Sequence, residues 1–420
     1  MNSVEGSTLP DGWREVKISD VSEFIRGITF KTNDAKNNYE DGLVGVYRTK
    51  NIQETLTLDD VYFLTKEHIR NDNKYLKKGD VLISSANSLE LLGKCCKYIE
   101  MDYPASLGGF ISCARVNSLM NADYFYYFFA SDFNQRRMRS LANQTTGIAN
   151  LPLKSVSELP ISLPPLEEQK RIVAKIDGLF AKIDKAITLT EESLKQAKNL
   201  LPSVLKEVFE KGKADGWEEK EFGEVITILT DYHANGSYKV LKKNVELKDI
   251  EDYAWMIRST DFEKKFKNSL KYIDKHAYDF MSKSQVYGNE IIMSKIGNAG
   301  IVYLMPSIDR PVSLAMNLFL IRLNENIVLP DFIFRFLKSN DGETQIKKRL
   351  KGATTKTITK DNVRNIIISY PNLKEQKKIV KKLNNLSEKA KQTQFKLEEQ
   401  LAYLKQLKSS ILSKAFKGEL

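Results

Sequence analysis

The chain has 420 residues and a mass of 48.1 kDa, too long for one ordinary domain and enough for two or three. With 42% hydrophobic and 10% aromatic residues it can bury a core, which excludes a disordered chain, and no run approaches the roughly 20 apolar residues of a membrane span. The net charge of +11 and a pI near 9.1 point loosely to a polyanionic partner.

The opening stretch, MNSVEGSTLPDGW, is polar and shows no charged-then-apolar leader. Cys95, Cys96 and Cys113 contain no CxxC pair, and with only His68, His233 and His276 beside them a four-ligand zinc site is not expected. The expectation is a reduced, cytoplasmic protein with no metal, no cofactor and no membrane contact. The charge is uneven: residues 373–420 carry a net +7, whereas residues 166–212 carry +1.

In chain order, the first 165 residues contain short β-branched and aromatic runs such as VLISS (81–85) and FISCARV (110–116), set between Gly, Asn, Asp and Pro turns. That pattern predicts strands with some helix. DYFYYFFASDFNQRRMRSL (123–141) predicts a helix with Asp123 at its start. From Pro165 a long helix is predicted, with Glu168 three residues on as in a capped start. The same elements then return. EIIMSK, IVYLM and LFLIRL are strand-like, PDFIFRFLKSNDGETQIKKRL (330–350) is helical with Asp331 at its start, and a second long helix follows Asn372, with Glu375 three on.

The chain is a repeat of itself. PPLEEQKRIVAKIDGL from Pro164 aligns with PNLKEQKKIVKKLNNL from Pro371 at an offset of 207, and the same offset pairs residues 103–117 with 310–324. YRTKNI (47–52) matches IRSTDF (257–262) at 210, VLISS matches IIMSK at 210, and Gly12-Trp13 matches Gly216-Trp217 at 204. Both long helices carry an apolar stripe whose steps alternate between three and four residues. Its main positions are Ile172, Ile176, Leu179, Ile183, Leu194 and Leu201 in one, and Ile379, Leu383, Leu386, Leu397, Leu401 and Leu404 in the other. One extra step of four precedes residues 194 and 401 in both, a heptad seam with a stutter. Each such helix is on the order of 65 Å long and needs a partner, for which the other copy is the natural choice. Pro202 inside the first stripe leaves open a kink or break there.

Two variable strand-rich domains, each followed by a helix beginning Pro-x-Leu-x-Glu-Gln-(Lys/Arg)-x-Ile-Val, resemble the specificity subunits of type I restriction–modification systems. The resemblance covers essentially the whole chain. It implies an α+β fold with two tandem target recognition domains, 1–165 and 213–372. A central spacer, 166–212, and a distal spacer, 373–420, would form an antiparallel coiled coil, with an internal pseudo-two-fold repeat. It further implies that each domain reads one half of a bipartite, asymmetric double-stranded DNA target. Methyltransferase (modification) subunits, in two copies, and through them restriction subunits, would be the partners, and the chain itself would hold no catalytic residue. A spacer of fixed length would act as a ruler between half-sites.

No GxGxxG, P-loop or (N/D)PP(Y/F/W) motif appears, and the EEK run at 218–220 near Asp215 is of a kind common in a chain that is 28% charged. For DNA contact the candidates are polar residues at matched positions. Arg48, Lys50 and Asn51 follow one apolar run, and Arg258 and Thr260 follow its copy. Arginine suits guanine, asparagine adenine and lysine phosphate. Ser85 and Asn87 follow the next strand in one half, and Lys295 and Asn298 in the other. Gln144, Thr145 and Thr146, and Thr354, Thr355 and Lys356, form polar loops ahead of each long helix. Arg136, Arg137 and Arg139, with Lys347, Lys348 and Arg349, suggest phosphate-facing helix sides or merely solvated ones. The competing reading of Arg48 and Arg258 is an internal ion pair repeated because the fold is repeated. A coiled-coil adaptor without DNA reading is the alternative function.

Overall fold

The computed structural model describes residues 9–145 and 147–420, with the backbone alone at 144 and 145. The chain divides into two compact units: residues up to Glu191 together with Glu399–Leu420 form the first, and Glu192–Glu398 form the second. Each unit thus holds one globular repeat and one segment of each long helix.

In the first unit a four-stranded antiparallel sheet has the order Ser22–Arg26, Ile111–Val116, Val81–Ser84, Cys95–Lys97. The second unit repeats it with Ile226–Asp231, Leu318–Leu323, Ile291–Ser294 and Val302–Leu304. All four residues of VLIS and of IIMS are buried. Successive strand side chains point to opposite faces. Val81 and Ile83 therefore enter one core while Leu82 enters another, and Ile291 and Met293 part from Ile292 in the same way. Burial on both faces is why these strands read as unbroken apolar runs.

On one side of the first sheet lie Tyr124, Phe125 and Phe129, together with Ile172, Ile176, Ile411 and Ala415 of the long helices. On the other side is a small sheet, Tyr62–Leu64, Val44–Tyr47, Ala105–Leu107, whose last two strands are parallel. Its counterpart in the second unit has the order Tyr272–Ile273, Ala254–Ile257, Val312–Leu314, Gln285–Val286, with Ala254–Ile257 parallel to Val312–Leu314.

The aromatic stretch expected as one helix over 123–141 is two, Ala122–Ala130 and Asp132–Ser140. Ser131 ends the first by donating its Oγ hydrogen to Phe128 O (2.7 Å) and caps the second by accepting from the Asn134 N–H. Ser339 does the same between Pro330–Leu337 and Asn340–Arg349, donating to Phe336 O (2.6 Å) and accepting from Gly342 N–H. A serine with an extended backbone is a helix cap rather than a helix interior residue. The cap of the first helix is Asn121, whose Oδ1 accepts from the N–H groups of Asp123 and Tyr124, and Asp123 is an acid of the first turn.

The long helices span Leu166–Ala214 and Leu373–Lys417, and the first runs unbroken through the exposed Pro202. All twelve seam positions are buried or half-buried. In the first unit Ile172, Ile176, Leu179 and Ile183 share a core with Leu404 and Ile411. In the second, Leu201, Leu205 and Phe209 share one with Ile379 and Leu383. The helices run antiparallel within each unit. Arg171 donates to Leu420 O (3.0 Å) while Asp184 pairs with Lys408 in the first, and Gln394 donates to Ala197 O (3.1 Å) in the second.

The Glu-Gln of the repeated motif has a specific role. Gln169 is fully buried, accepts from Asn121 N–H (2.7 Å), and donates to Leu119 O (3.0 Å) and Pro164 O (2.9 Å). Gln376, also fully buried, accepts from Leu329 N–H (2.9 Å) and donates to Ile327 O (3.0 Å) and Pro371 O (2.8 Å). Each amide joins the start of a long helix to the start of the aromatic helix. Replacing Gln169 or Gln376 by Ala would leave three backbone groups, part-buried or buried, without these partners. A loss of about 3 kcal/mol is expected, read as a lower urea midpoint together with faster hydrogen exchange at the Asn121 or Leu329 amide.

Candidate nucleic-acid interface

The central strand of each main sheet does not stop at the sheet. After a single residue, Ser85 or Lys295, it continues into a two-residue strand that pairs with a segment lying just before the long helix. In the first unit Ala86–Asn87 pairs antiparallel with Ile148–Asn150, which pairs in turn with Asn143–Thr145. In the second, Ile296–Gly297 pairs antiparallel with Lys356–Thr357. Polar groups some 60 residues apart in sequence are thereby joined in one ribbon per unit. Ser85 and Asn87 adjoin the strand Ile148–Asn150, with Asn143–Thr145 one strand further out, and the Lys295 carbonyl accepts from Ile358 N–H (3.1 Å) just after Lys356 and Thr357.

Within the first ribbon, Ser85 Oγ donates to Phe110 O (3.2 Å) and accepts from Ser112 Oγ (3.1 Å). Asn87 donates to Ser84 Oγ (3.2 Å) and accepts from Ser88 N–H (2.8 Å). Gln144 and Thr145 lie on a strand opposite Ala149 and Ile148, and Thr146 lies outside the described residues. In the second ribbon Asn298, Thr354, Thr355 and Lys356 are all exposed.

Lys295 is held from below. Its ammonium donates to Asp231 Oδ2 (2.8 Å) and lies 5.5 Å from the Phe319 ring centre. Lys360 approaches the other Asp231 oxygen at 3.6 Å. The Asp231 side chain is only 10% exposed. Burial alone would raise its carboxyl, but the Lys295 hydrogen bond and the two lysine charges outweigh it and hold the group below its ordinary 3.8. Asp231 was not visible among the sequence candidates; the one signal is the strand run ITILTD, which ends on an acid.

The arginine-bearing turns are a different matter. Asn51, expected to face adenine, is fully buried: its Oδ1 accepts from Arg48 N–H (2.8 Å), and its Nδ2 donates to Thr57 O (3.0 Å) and Asp59 O (2.9 Å). With its amide so engaged it has no free edge for a base, so it is a turn-capping residue. Arg48 lies over the Tyr62 ring (3.5 Å) and binds Asp60 through both its backbone oxygen (2.6 Å) and its carboxylate (3.0 Å). Lys50 pairs with the same carboxylate. In the second unit Asp261 takes the place of Asn51. It is fully buried, accepts from Arg258 N–H (2.7 Å), and holds the Arg258 guanidinium through Nε (3.2 Å) and Nη2 (2.7 Å). The geometry favours the internal reading of both arginines, and Lys50 and Thr260 are exposed there. Of the basic helix residues, Arg139 donates to Leu92 O (3.4 Å), Arg349 to Asn365 O (2.6 Å), and Lys347 pairs with Glu343 (3.2 Å).

The cysteines are buried and free, and burial pushes the Cys96 thiol up to about 12. Among the described residues no group of three His, Cys, Asp or Glu is placed to hold a metal, and no helix is long and apolar enough to cross a membrane.

The Asp231 carboxyl sits below its unfolded value, so its contribution to stability is present above that value and lost as pH falls through the folded one. Wild type and Asp231→Asn are expected to differ in thermal midpoint by a constant gap at and above about pH 5. The gap should close as the pH drops below 3.8. A gap unchanged down to the acid limit would show that the carboxylate charge is not what holds the two lysines.

Residues 10–198 and 214–403 both match the family described as "Type I restriction modification DNA specificity domain". The chain is 24% identical over 432 residues to the type I restriction enzyme StySPI specificity subunit of Salmonella potsdam, covering 98% of this chain and 90% of that one. It is 24% identical over 426 residues to the EcoKI specificity subunit of Escherichia coli K12, with the same coverage. Among solved structures, a chain from a study of complex assembly and conformational transition of the type I R-M system shares the fold at a TM-score of 0.75 and 19% identity, covering 98% of this chain and 100% of that one. The HsdS subunit from Thermoanaerobacter tengcongensis shares it at 0.63 and 20% identity, with 98% of each chain covered. With both repeats inside the match, the chain belongs to the family of type I restriction–modification DNA specificity domains.

Proposed function

We propose that this chain is the sequence-reading subunit of a type I restriction–modification complex, each repeat reading one half of a bipartite, asymmetric double-stranded DNA target. The observation that carries this is the ribbon. The same backbone device is built twice, at the same place in the same fold, and carries different polar residues in the two copies. A surface that keeps its frame and varies its side chains suits base reading, in which position is fixed and chemistry discriminates. The functional division proposed is a first target recognition domain over 1–165, a central spacer over 166–212, a second recognition domain over 213–372 and a distal spacer over 373–420.

The partners are DNA, two modification (methyltransferase) subunits on the repeated scaffold, and restriction subunits through that complex. The chain itself carries no catalytic step, and the complex works in the cytoplasm. Within the ribbons Ser85, Asn87, Gln144 and Thr145 are the DNA-facing set of the first unit, with Thr146 beside them in sequence. Lys295, Asn298, Thr354, Thr355 and Lys356 are that of the second, and Thr260 on the arginine-bearing turn is a further candidate outside the ribbon. A pure coiled-coil adaptor would need the helices but leaves two matched ribbons without a purpose.

Expression with its modification subunit in a methylation-free host should yield a split, asymmetric methylated motif with one fixed gap, read by sequencing modified bases. No new methylation from an assembled complex would remove this reading. Lys356→Ala should weaken DNA binding and lower the slope of log affinity against log salt by about 1, the signature of one lost phosphate contact.

A further inference from the structure

Between the arginine-bearing turn and the ribbon of each unit lies a short loop that joins the parallel strand of the small sheet to the long strand of the main sheet. In the first unit it is Gly108-Gly109-Phe110, between Ala105–Leu107 and Ile111–Val116. In the second it is Ala315-Met316-Asn317, between Val312–Leu314 and Leu318–Leu323. The two loops correspond residue for residue at the offset of 207.

Both are fixed by equivalent backbone bonds at each end. Gly108 N–H donates to Tyr47 O (2.9 Å) and Ala315 N–H to Ile257 O (2.9 Å), which ties one end to the small sheet. At the other end, Ser85 N–H donates to Phe110 O (3.0 Å) and Lys295 N–H to Asn317 O (2.7 Å). The carbonyls of Phe110 and Asn317 thus anchor the residue from which each ribbon springs.

On these anchored backbones the side chains turn outward. Phe110 is 62% exposed, a large apolar ring held in solvent beside the polar ribbon. Asn317 is exposed and takes a left-handed backbone, φ 69°, a conformation that asparagine tolerates better than most residues. Among the described residues no side-chain hydrogen bond within its unit engages the Asn317 amide. An exposed aromatic ring on a rigid loop gains nothing for the folded unit, and a free amide in a strained backbone gains as little. Each is well suited to a base. An apolar side chain meets the thymine methyl group, whereas asparagine can bond bidentately to the N6 and N7 of adenine.

We propose that Phe110 and Asn317 are paired specificity-determining residues, one per half-site, with Phe110 reading a thymine methyl and Asn317 an adenine edge. The inference rests on the ribbons facing DNA. It goes further by naming one aligned position at which the two repeats offer different base chemistry, with Asn317 in the left-handed region and Phe110 outside it. It also gives an asymmetric target a physical origin, because the same place on the two frames holds an aromatic ring in one and an amide in the other.

The test is the methylated motif of the full complex with modification subunits, for wild type, Phe110→Ala, Asn317→Ala and Lys356→Ala, with binding competition against DNA altered in one half-site at a time. Phe110→Ala should relax discrimination at a thymine-bearing position in one half by roughly 10-fold or more and leave the other half unchanged. Asn317→Ala should do the converse at an adenine. Both residues are exposed, so the variants should fold, which thermal melting checks. If Phe110→Ala or Asn317→Ala weakens binding to both half-sites alike, or changes neither, while Lys356→Ala weakens binding, the ribbon reading stands and the paired-residue proposal falls. If all three variants behave as wild type, the ribbon reading itself fails, and this one with it.

Discussion

Two buried amides hold this architecture to its function. A long helix can carry a reading domain only if the domain cannot swivel where the helix begins, and hydrophobic contact alone is poor at fixing an angle because it is non-directional. Gln169 and Gln376 supply direction. Each takes an N–H from the start of the aromatic helix and gives its own two hydrogens to carbonyls on the chain leading into the aromatic helix and into the long helix. The two glutamines are fully buried and their bonds are part-buried or buried, so each bond is stronger than in water and losing one leaves a costly orphan. This accounts for a glutamine, rather than another helix former, in the repeated motif at both helix starts.

The same economy of design recurs in the two units. Each breaks its aromatic helix with a serine that caps in both directions, and each closes the turn after the small parallel strand by bonding an Asn or Asp three residues on to the arginine N–H. Each also supports its central strand with a buried acid paired to an arginine on the neighbouring strand, Asp80 with Arg115 (2.7 Å) and Glu290 with Arg322 (3.1 Å). These devices fix the backbone and leave the ribbon free to vary. Lys295 over Asp231 in one unit stands where Ser85 stands in the other, so the two faces differ in charge while sharing their frame.

Much of this was legible in the sequence, and the reasons differ by element. The duplication, the strands VLIS and IIMS and the heptad seam were legible because periodicity records burial directly: a residue facing a core must be apolar whatever surrounds it. The split of the aromatic helix at Ser131 was not, because a serine reads the same inside a helix and at a cap until its backbone is known. Asn51 misled for a related reason. A polar residue beside an arginine looks like a reading head, and only its complete burial reveals a cap. The pairing of Ala86–Asn87 with Ala149 and Asn150, and of Ile296–Gly297 with Lys356–Thr357, needed the topology, since no local pattern announces that a two-residue strand will pair with one some 60 residues away. Phe110 and Asn317 lay in plain view in the aligned repeats, but a sequence does not say which side chains a fold leaves in solvent.

The partition of the long helices has a consequence for how the protein is made. The core that begins at Ile18 and Val21 is completed by Ile411, Leu412 and Ala415. At synthesis rates of about 5–20 residues per second, the first repeat would wait on the order of 10 to 50 s after its own strands emerge before the last helical segment arrives. During that interval Ile172, Ile176 and Ile183 face water on the side that Ile411 and Ala415 later cover. The second unit, Glu192–Glu398, has all its parts in one stretch of chain and can close as it emerges. The repeat translated second is therefore the one able to finish folding first.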